Sequence, residues 1–145
     1  FLQKYFKKEL FFTDVEGKTK DEVLKNLCRK VEQEKGLPET FTASVLKREE
    51  LTPTDYGNLV ALPHPERAFQ ERAFVAVAVL KEPIFWFRQK VQVVFLTAIG
   101  REEDENLQQF YEATTDLILR PADVQNLIRH PDYDRLIQLL RRAEE

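Results

Sequence analysis

Three runs of β-branched and aromatic residues constrain the fold of this chain more than any other feature. They are LVAL at 59–62, FVAVAVL at 74–80 and VQVVFLTAI at 91–99, and turn residues bound each of them. Strands that are buried on both faces have continuous apolar runs of this kind, because neither face meets water. The sequence therefore predicts a sheet that is covered by helices on both sides.

Helical periodicity fills most of the remaining sequence. Thr19 and Glu22 have the spacing of a capping box, and the apolar stripe that follows them continues until Gly36. Four further stripes have the same period, and acidic residues occupy the predicted first turn of the third helix. The predicted helices are 19–36, 39–50, 101–119, 124–128 and 133–142, and the segment LTPTDYGN at 51–58 is predicted to be a loop.

Helices and strands alternate along the chain, which is typical of the α/β class. The 145 residues fit one domain, and 43% hydrophobic with 32% charged residues is the composition of a globular protein. We expect a single domain over 1–145. The chain begins at Phe1 and contains no methionine, so we expect it to be a piece of a longer polypeptide.

Composition and spacing argue against several functions. The net charge of −3, with Lys and Arg scattered among acidic residues, gives no basic face for nucleic acid. The four glycines are isolated, so no phosphate-binding loop is predicted, and two distant histidines with one cysteine do not make a zinc site. We therefore expect no cofactor and no metal. No apolar stretch is long enough to cross a bilayer, and we expect a cytoplasmic protein.

Nucleophilic catalysis by serine or cysteine is not expected either. The only serine, Ser44, lies within the second predicted helix, away from any strand-turn-helix elbow. The only cysteine, Cys28, lies on the apolar stripe of the first predicted helix, where a small buried side chain is expected.

The two histidines stand in different contexts. His130 precedes Pro131 at a helix junction, where an imidazole can interact with helix carbonyls, and we expect a structural role for it. His64 lies between Pro63 and Pro65 directly after a predicted strand, so its backbone is stiffened. Taken alone, this pattern favours a histidine in a rigid surface turn.

A longer motif around His64 changes that interpretation. The segment KREELTPTDYGNLVALPHP at 47–65 resembles the active-site segment of the mannitol/fructose-type IIA domains of the bacterial phosphoenolpyruvate-dependent sugar phosphotransferase system. The matching positions are Arg48, Thr52 and Thr54, Gly57-Asn58, and Leu62-Pro63-His64. The resemblance implies a mixed sheet of about five strands flanked by helices. It also implies that the histidine accepts a phosphoryl group from the carrier protein HPr and passes it to a IIB domain.

The chemistry of these side chains suits that role. A free imidazole, with an ordinary pKa near ~6.5, is largely neutral at cytoplasmic pH and can attack phosphorus without a separate base. The resemblance makes His64 the phosphoacceptor and Arg48 the cation that offsets charge on the transferred group. Asn58 is expected to orient the ring or the phosphoryl group, and Thr52 or Thr54 to donate hydroxyl hydrogen bonds. If the resemblance were false, Arg48 would be a helix C-terminal arginine.

Two positions depart from the transporter pattern. Asn106 stands where many phosphotransferring members have a second histidine, and an amide cannot carry a phosphoryl group. Pro65 stands where transporter components more often have a small residue. Together with LQKYFKKELFF at 2–12 and KEPIFWF at 81–87, these departures resemble the C-terminal IIA-like domain of BglG-type transcriptional antiterminators and activators. We therefore expect a regulatory phosphoacceptor domain that is modified by HPr or a IIB component and is preceded by the other domains of a transcription regulator.

Two alternatives remain open at this point. One is a transporter IIA component that passes the phosphoryl group through IIB to a sugar, although Asn106 argues mildly against it. The other is a IIA-like module that only binds partner proteins. In each case the partner face is expected to surround His64 and to include Pro65 and Glu66.

Overall fold

The computed structural model of the chain describes residues 2–144, which form five strands and six helices. The strands are β1 (Phe6–Phe12), β2 (Asp55–Gly57), β3 (Val60–Ala61), β4 (Phe74–Phe85) and β5 (Lys90–Ala98). The helices are α1 (Leu2–Tyr5), α2 (Lys20–Lys35), α3 (Thr40–Leu51), α4 (Leu107–Ile118), α5 (Pro121–Arg129) and α6 (Tyr133–Glu144).

The five strands form one mixed sheet in the order β1-β4-β5-β3-β2. Pairing is parallel between β1 and β4 and between β3 and β5, and antiparallel between β4 and β5 and between β2 and β3. The prediction of an α/β domain with a mixed, five-stranded sheet is confirmed. The longest strands, β4 and β5, lie at the centre, where the sequence has its longest apolar runs.

The core has two halves, one on each face of the sheet. Along β4, Val75 and Val77 point to one cluster while Ala76 and Ala78 point to the other, as the two-residue repeat of a strand requires. Helices α1, α4, α5 and α6 supply the first cluster, and helices α2 and α3 supply the second. The prediction that both faces are covered by helices is therefore confirmed, and it accounts for the absence of polar alternation in the strand sequences.

The ends of α2 follow the sequence signals closely. Thr19 Oγ1 accepts a hydrogen bond from Glu22 N at 3.2 Å and donates to the Glu22 carboxylate at 3.3 Å. At the other end, Gly36 adopts a left-handed conformation with φ of 66° and its N–H bonds to Glu32 O. An N-cap of this type stabilises a helix by about 1 kcal/mol.

Three elements near the sheet edges differ from the prediction. The predicted loop 51–58 contains the edge strand β2, which pairs with β3 through Asp55–Ala61 and Gly57–Val60. The strand β1 and the short helix α1 were not predicted at all. Both edge strands carry polar residues, such as Lys7 and Lys8 in β1, so they lack the apolar run that marks the central strands.

Helix α4 begins later than predicted. The expected start after Gly100, with acidic residues in the first turn, is wrong, because the helix begins at Leu107 and its first turn has no acidic residue. Asp104 does not lie in the first turn of the helix but in the segment before it, where its carboxylate binds neighbouring groups. Its carboxylate accepts hydrogen bonds from the Tyr5 hydroxyl at 2.6 Å and from Asn106 N at 3.0 Å, and Lys4 Nζ lies 3.4 Å away. These contacts hold the segment, which has bends and a turn, against α1.

The Asp104 cluster makes stability dependent on pH. The Tyr5 hydroxyl bond is the main reason that the pKa of the Asp104 carboxyl is below its usual value, while burial and this carboxylate raise the pKa of Tyr5. A lowered native pKa stabilises the fold above the unfolded-state pKa, and that stabilisation is lost as pH falls through the native value. Tyr5→Phe removes the hydroxyl that lowers the Asp104 pKa, so we expect its urea midpoint at pH 7 to lie below that of the wild type. At pH 3 the difference between the two midpoints should be smaller. An equal deficit at both pH values would contradict this account.

Cys28 is a buried thiol, as predicted. It has no exposed surface, and burial, with a smaller contribution from Glu32, raises its pKa to about 12. Because the thiolate is the reactive form, we expect no reaction with a disulfide reagent at pH 8 in the folded protein and stoichiometric reaction in urea. The reaction rate as a function of urea concentration should follow the loss of helical circular dichroism. Rapid labelling without urea would contradict the placement of this side chain.

Candidate active site around His64

His64 lies just beyond the end of β3, in a segment that is fixed on both sides. Pro63 and Pro65 are buried, and Pro63 O accepts a hydrogen bond from Thr97 N on β5 at 3.0 Å. The imidazole itself is half-buried, and its Nδ1 lies 3.2 Å from Leu62 O. A carbonyl oxygen only accepts hydrogen bonds, so this contact favours the tautomer with the proton on Nδ1 and the lone pair on Nε2.

A cavity of about 260 Å³ opens beside the His64 ring. Strand ends form one wall, through Thr97 and Ile99, and helix α4 forms the other. Most of the lining is apolar, and the residues that line it are Leu62, His64, Thr97, Ile99, Phe110, Tyr111, Thr114 and Thr115. His64 is the one lining side chain with a nucleophilic nitrogen, so the cavity places this imidazole in a partly desolvated, concave surface.

Arg48 is in the last turn of α3, as the sequence predicted. Its Nη1 donates a hydrogen bond to Thr52 O at 2.8 Å, and Thr52 N in turn lies 3.4 Å from Arg48 O. A guanidinium has five N–H groups, so the bond to Thr52 orients the side chain and leaves donors for an anionic ligand. The structure records no direct contact between Arg48 and His64 among residues 2–144.

The two threonines of the motif have different surroundings. Thr52 is exposed and contributes its carbonyl oxygen to Arg48. The Thr54 hydroxyl donates to Glu49 Oε1 at 2.7 Å, and Thr54 N donates to Glu49 Oε2 at the same distance. The Thr54 hydroxyl proton is therefore committed to a protein partner in this structure.

Glu49 was not among the predicted site residues. It is only 2% exposed, and Trp86 Nε1 donates a third hydrogen bond to its carboxylate at 2.9 Å. A glutamate between Arg48 and Glu50 at the end of a helix has the pattern of a solvated charge. Only its distant partner, Trp86, distinguishes it, and no local sequence signal identifies that partner.

Asn58 anchors an unusual turn between β2 and β3. Its side-chain amide donates to Ile118 O at the end of α4 at 2.7 Å. Backbone φ is positive at three consecutive residues, 124° at Gly57, 54° at Asn58 and 67° at Leu59. Leucine in this region costs roughly 1–2 kcal/mol, and the bonds from Gln92 N and Val93 N to Leu59 O hold it there. The amide nitrogen of Asn58 thus connects the β2–β3 hairpin (residues 55–61), called the site hairpin below, to α4.

Asn106 lies directly before α4, where its N–H is bonded to Asp104. Asn106 does not line the cavity beside His64. The first residue of α4 that does so is Phe110. Phe110 N bonds to Asn106 O, so Asn106 is one helical turn before the cavity wall. A direct contact between Asn106 and the His64 ring is not part of this structure.

Several peripheral expectations can be placed in the same way. Pro65 is buried, so the prediction that it forms part of an exposed partner face is wrong, whereas Glu66 is exposed. The reason is that Glu66 N donates to Ser44 Oγ at 2.7 Å, which draws the segment onto α3. His130 is exposed at the C-terminal end of α5 and does not line the cavity, in agreement with the expected position at a helix junction.

Other parts of the described structure offer less chemistry. A larger depression, of about 850 Å³, is lined by residues 14–18 and 81–85 together with Glu22 and Asn26, and it contains neither histidine. Within residues 2–144, no three His, Cys, Asp or Glu side chains are grouped so that they could hold a metal ion. None of the helices described is long and apolar enough to span a membrane.

Comparison with known proteins connects this site to one family. The family model described as "Phosphoenolpyruvate-dependent sugar phosphotransferase system, EIIA 2" matches residues 4–143. Among curated proteins, the chain is 37% identical over 133 residues to the "Probable licABCH operon regulator" of Bacillus subtilis, and 27% identical over 120 residues to the "Transcriptional regulator ManR" of the same organism. These matches cover 92% and 83% of this chain but 21% and 18% of the two relatives.

Solved structures agree on the fold. The chain superposes with a TM-score of 0.75 on enzyme IIAMTL in its complex with phosphorylated enzyme IIBMTL from Escherichia coli, at 18% identity, covering 93% of this chain and 97% of that one. It superposes equally well, at 20% identity, on the nitrogen regulatory protein IIA-Ntr from Neisseria meningitidis, covering 93% and 95% of the two chains. With a family match over nearly its whole length and the His64 motif in the corresponding fold, the chain belongs to the EIIA type 2 family of the phosphoenolpyruvate-dependent sugar phosphotransferase system.

Proposed function

We propose that this domain is a regulatory phosphoacceptor, in which His64 receives a phosphoryl group from HPr or from a IIB component. The observation that carries the proposal is the contact between His64 Nδ1 and Leu62 O. It favours the tautomer with the proton on Nδ1 and the nucleophilic lone pair on Nε2, in a side chain that is held by two buried prolines at the mouth of a concave surface.

The transfer needs few groups from the protein. The Nε2 lone pair forms a bond to phosphorus while the bond between phosphorus and the donor's leaving atom breaks, and the donor keeps that electron pair. In the tautomer with the proton on Nδ1, the attacking nitrogen carries no proton, so the transfer needs no separate base. Charge on the three equatorial oxygens of the transferred group then requires a cation, and Arg48 is the candidate in the same motif.

The donor is expected to dock over the cavity mouth. Ile99 lines the cavity beside His64 and is 48% exposed, so it offers apolar surface to a donor directly beside the ring. Glu66 adds an exposed charge directly after the His64 segment. The proposed face therefore keeps Glu66 from the sequence-based expectation, adds Ile99, and leaves out Pro65, which is buried.

A regulatory role is favoured over a transport role by the relatives. Two curated relatives, at 37% and 27% identity, are named as an operon regulator and a transcriptional regulator, and this chain spans only about a fifth of the length of each. A phosphoryl group adds about −1.5 to −2 units of charge, which is enough to alter docking against another domain of such a protein. We propose that upstream domains of a transcription regulator respond to that change.

The test is phosphorylation in vitro with mapping of the modified residue. The domain is incubated with phosphoenolpyruvate, Enzyme I and HPr, and its intact mass is followed. Trypsin separates the two histidines into the peptides 49–67 and 130–135. We expect one acid-labile phosphoryl group per chain, located in peptide 49–67. An acid-stable modification, a phosphoryl group in 130–135, or no gain with HPr or any IIB component would overturn the proposal.

A transporter component remains the second candidate because a protein of this fold has been solved in complex with phosphorylated enzyme IIB. The same phosphorylated domain is mixed with IIB components, and loss of its phosphoryl mass is followed over time. Rapid transfer to a IIB domain, followed by sugar phosphorylation, would favour transport. Retention of the phosphoryl group, or reception of it from IIB, would favour regulation.

A further inference from the structure

Glu49 is a buried carboxylate whose role the phosphoryl-transfer chemistry does not explain. Burying a charge is costly unless hydrogen-bond donors replace the lost water. Three donors do so here, namely Thr54 N and Thr54 Oγ1, each at 2.7 Å, and Trp86 Nε1 at 2.9 Å. The carboxylate therefore clamps the loop after α3 to the helix on one side and to the β4–β5 turn on the other.

A continuous series of hydrogen bonds leads from this clamp to the His64 ring. Thr54 N donates to Glu49, Thr54 O accepts from Leu62 N at 3.0 Å, and Leu62 O contacts His64 Nδ1 at 3.2 Å. The middle step joins the peptide groups of Thr54 and Leu62 directly, so a displacement of Thr54 moves Leu62, whose carbonyl contacts the His64 ring. Hydrogen bonds in such a chain also polarise one another in a low-dielectric interior.

The same clamp shapes the surroundings of Arg48. Because Glu49 holds Thr54 against the end of α3, the intervening residues must turn back toward the helix. That turn brings Thr52 O to within 2.8 Å of Arg48 Nη1. One carboxylate thus determines the backbone positions that orient both the proposed nucleophile and the proposed cation.

We propose that Glu49 is a positioning residue for phosphoryl transfer to His64. By holding Thr54, it fixes the Leu62 carbonyl that keeps the proton on Nδ1 and the Thr52 carbonyl that orients Arg48. The proposal rests on the proposed function of His64 as phosphoacceptor, but its structural part concerns the unphosphorylated domain and is tested there.

The ring tautomer of His64 is the direct readout. Nitrogen NMR of the unphosphorylated domain distinguishes a protonated Nδ1 from a protonated Nε2, and His130, the other histidine of the sequence, is exposed and serves as an internal reference. We expect the wild-type His64 ring to be protonated mainly at Nδ1. In Glu49→Ala, the His64 ratio should shift toward that of His130, and phosphoryl transfer from HPr should slow by about tenfold.

Glu49→Gln is the conservative variant. Its amide oxygen can accept the bonds from Thr54 N and Trp86 Nε1, and its NH₂ group can donate to Thr54 Oγ1, so the clamp survives without the charge. We expect this variant to restore both the tautomer ratio and the transfer rate. Trp86→Phe is the matched control, because it removes a buried donor to the same carboxylate but leaves both Thr54 contacts, and it should keep wild-type values.

The outcomes separate this proposal from the proposed function. An unchanged tautomer ratio and rate in Glu49→Ala, or failure of Glu49→Gln to restore them, would overturn the positioning role. If Glu49→Ala does not fold, Thr54→Val loosens one contact only and should shift the ratio in the same direction, and an unchanged ratio there would overturn it equally. If the tautomer ratio shifts as expected but neither the wild type nor any variant accepts a phosphoryl group, the positioning of the ring by Glu49 is supported and the phosphoacceptor function is overturned.

Discussion

A His64→Ala variant is expected to gain no phosphoryl group under conditions in which the wild-type domain is fully modified by phosphoenolpyruvate, Enzyme I and HPr. The expected loss is complete because the imidazole is the bond-forming group. Removing a nucleophile leaves no atom for the phosphorus to bond to, whereas removing a supporting group only slows the reaction. Within the cavity lining, the remaining polar side chains are hydroxyls, which would need a base to become nucleophilic.

His130→Ala is the matched control for this experiment. It removes the other imidazole from an exposed position at the end of α5 and is expected to leave the phosphoryl gain unchanged. Both variants should keep the wild-type urea midpoint closely, since the His64 segment remains anchored by Pro63 and Pro65 and His130 contacts solvent. Residual, acid-labile modification of His64→Ala would place the acceptor elsewhere.

The central part of the fold could be predicted from sequence because its signals are local. The apolar runs of β4 and β5 and the capping box at Thr19 depend on neighbouring residues only, and the structure confirms them. The edges of the sheet depend on tertiary pairing. The strand β1, with Lys7 and Lys8, becomes a strand because β4 offers it a parallel partner, and β2 does so because β3 folds back on it.

The delayed start of α4 has the same origin. The acidic residues after Gly100 suit the first turn of a helix, but Asp104 gains more from Tyr5, which lies ninety-nine residues earlier in the chain. A propensity argument has no access to such a partner. The prediction was therefore wrong in the position of the helix start, although the helix itself and its stop before Pro121 were predicted correctly.

The candidate site shows the same division between local and tertiary information. The motif from Arg48 to His64 was recognised as one segment, and the structure gathers it into α3, the hairpin and the strand end. The hydrogen-bond partners of its polar side chains could not be predicted, because Asn58 bonds to Ile118 and Thr54 bonds to Glu49. Glu49 itself was missed because its third partner, Trp86, is thirty-seven residues away in sequence.

An Arg48→Ala variant is expected to accept the phosphoryl group on His64, but about 10²–10³-fold more slowly than the wild type. Losses of this size are typical when one preorganised donor to developing negative charge is removed. Arg48→Lys should fall between the two, because an ammonium keeps the charge but lacks the planar fork that matches phosphate oxygens. The measurement is the initial rate of intact-mass gain with limiting HPr.

Lys47→Ala is the matched control, because Lys47 is the exposed neighbour of Arg48 on the same helix and carries the same charge. If the charge acts only through long-range attraction of the donor, both alanine variants should slow the reaction similarly, and added salt should abolish the difference from wild type. If Arg48 acts at the phosphoryl group, as its anchoring by Thr52 O favours, only its replacement should slow the reaction, and the deficit should persist in salt. Equal rates for Arg48→Ala and wild type would remove Arg48 from the site and leave His64 without a cation in its own motif.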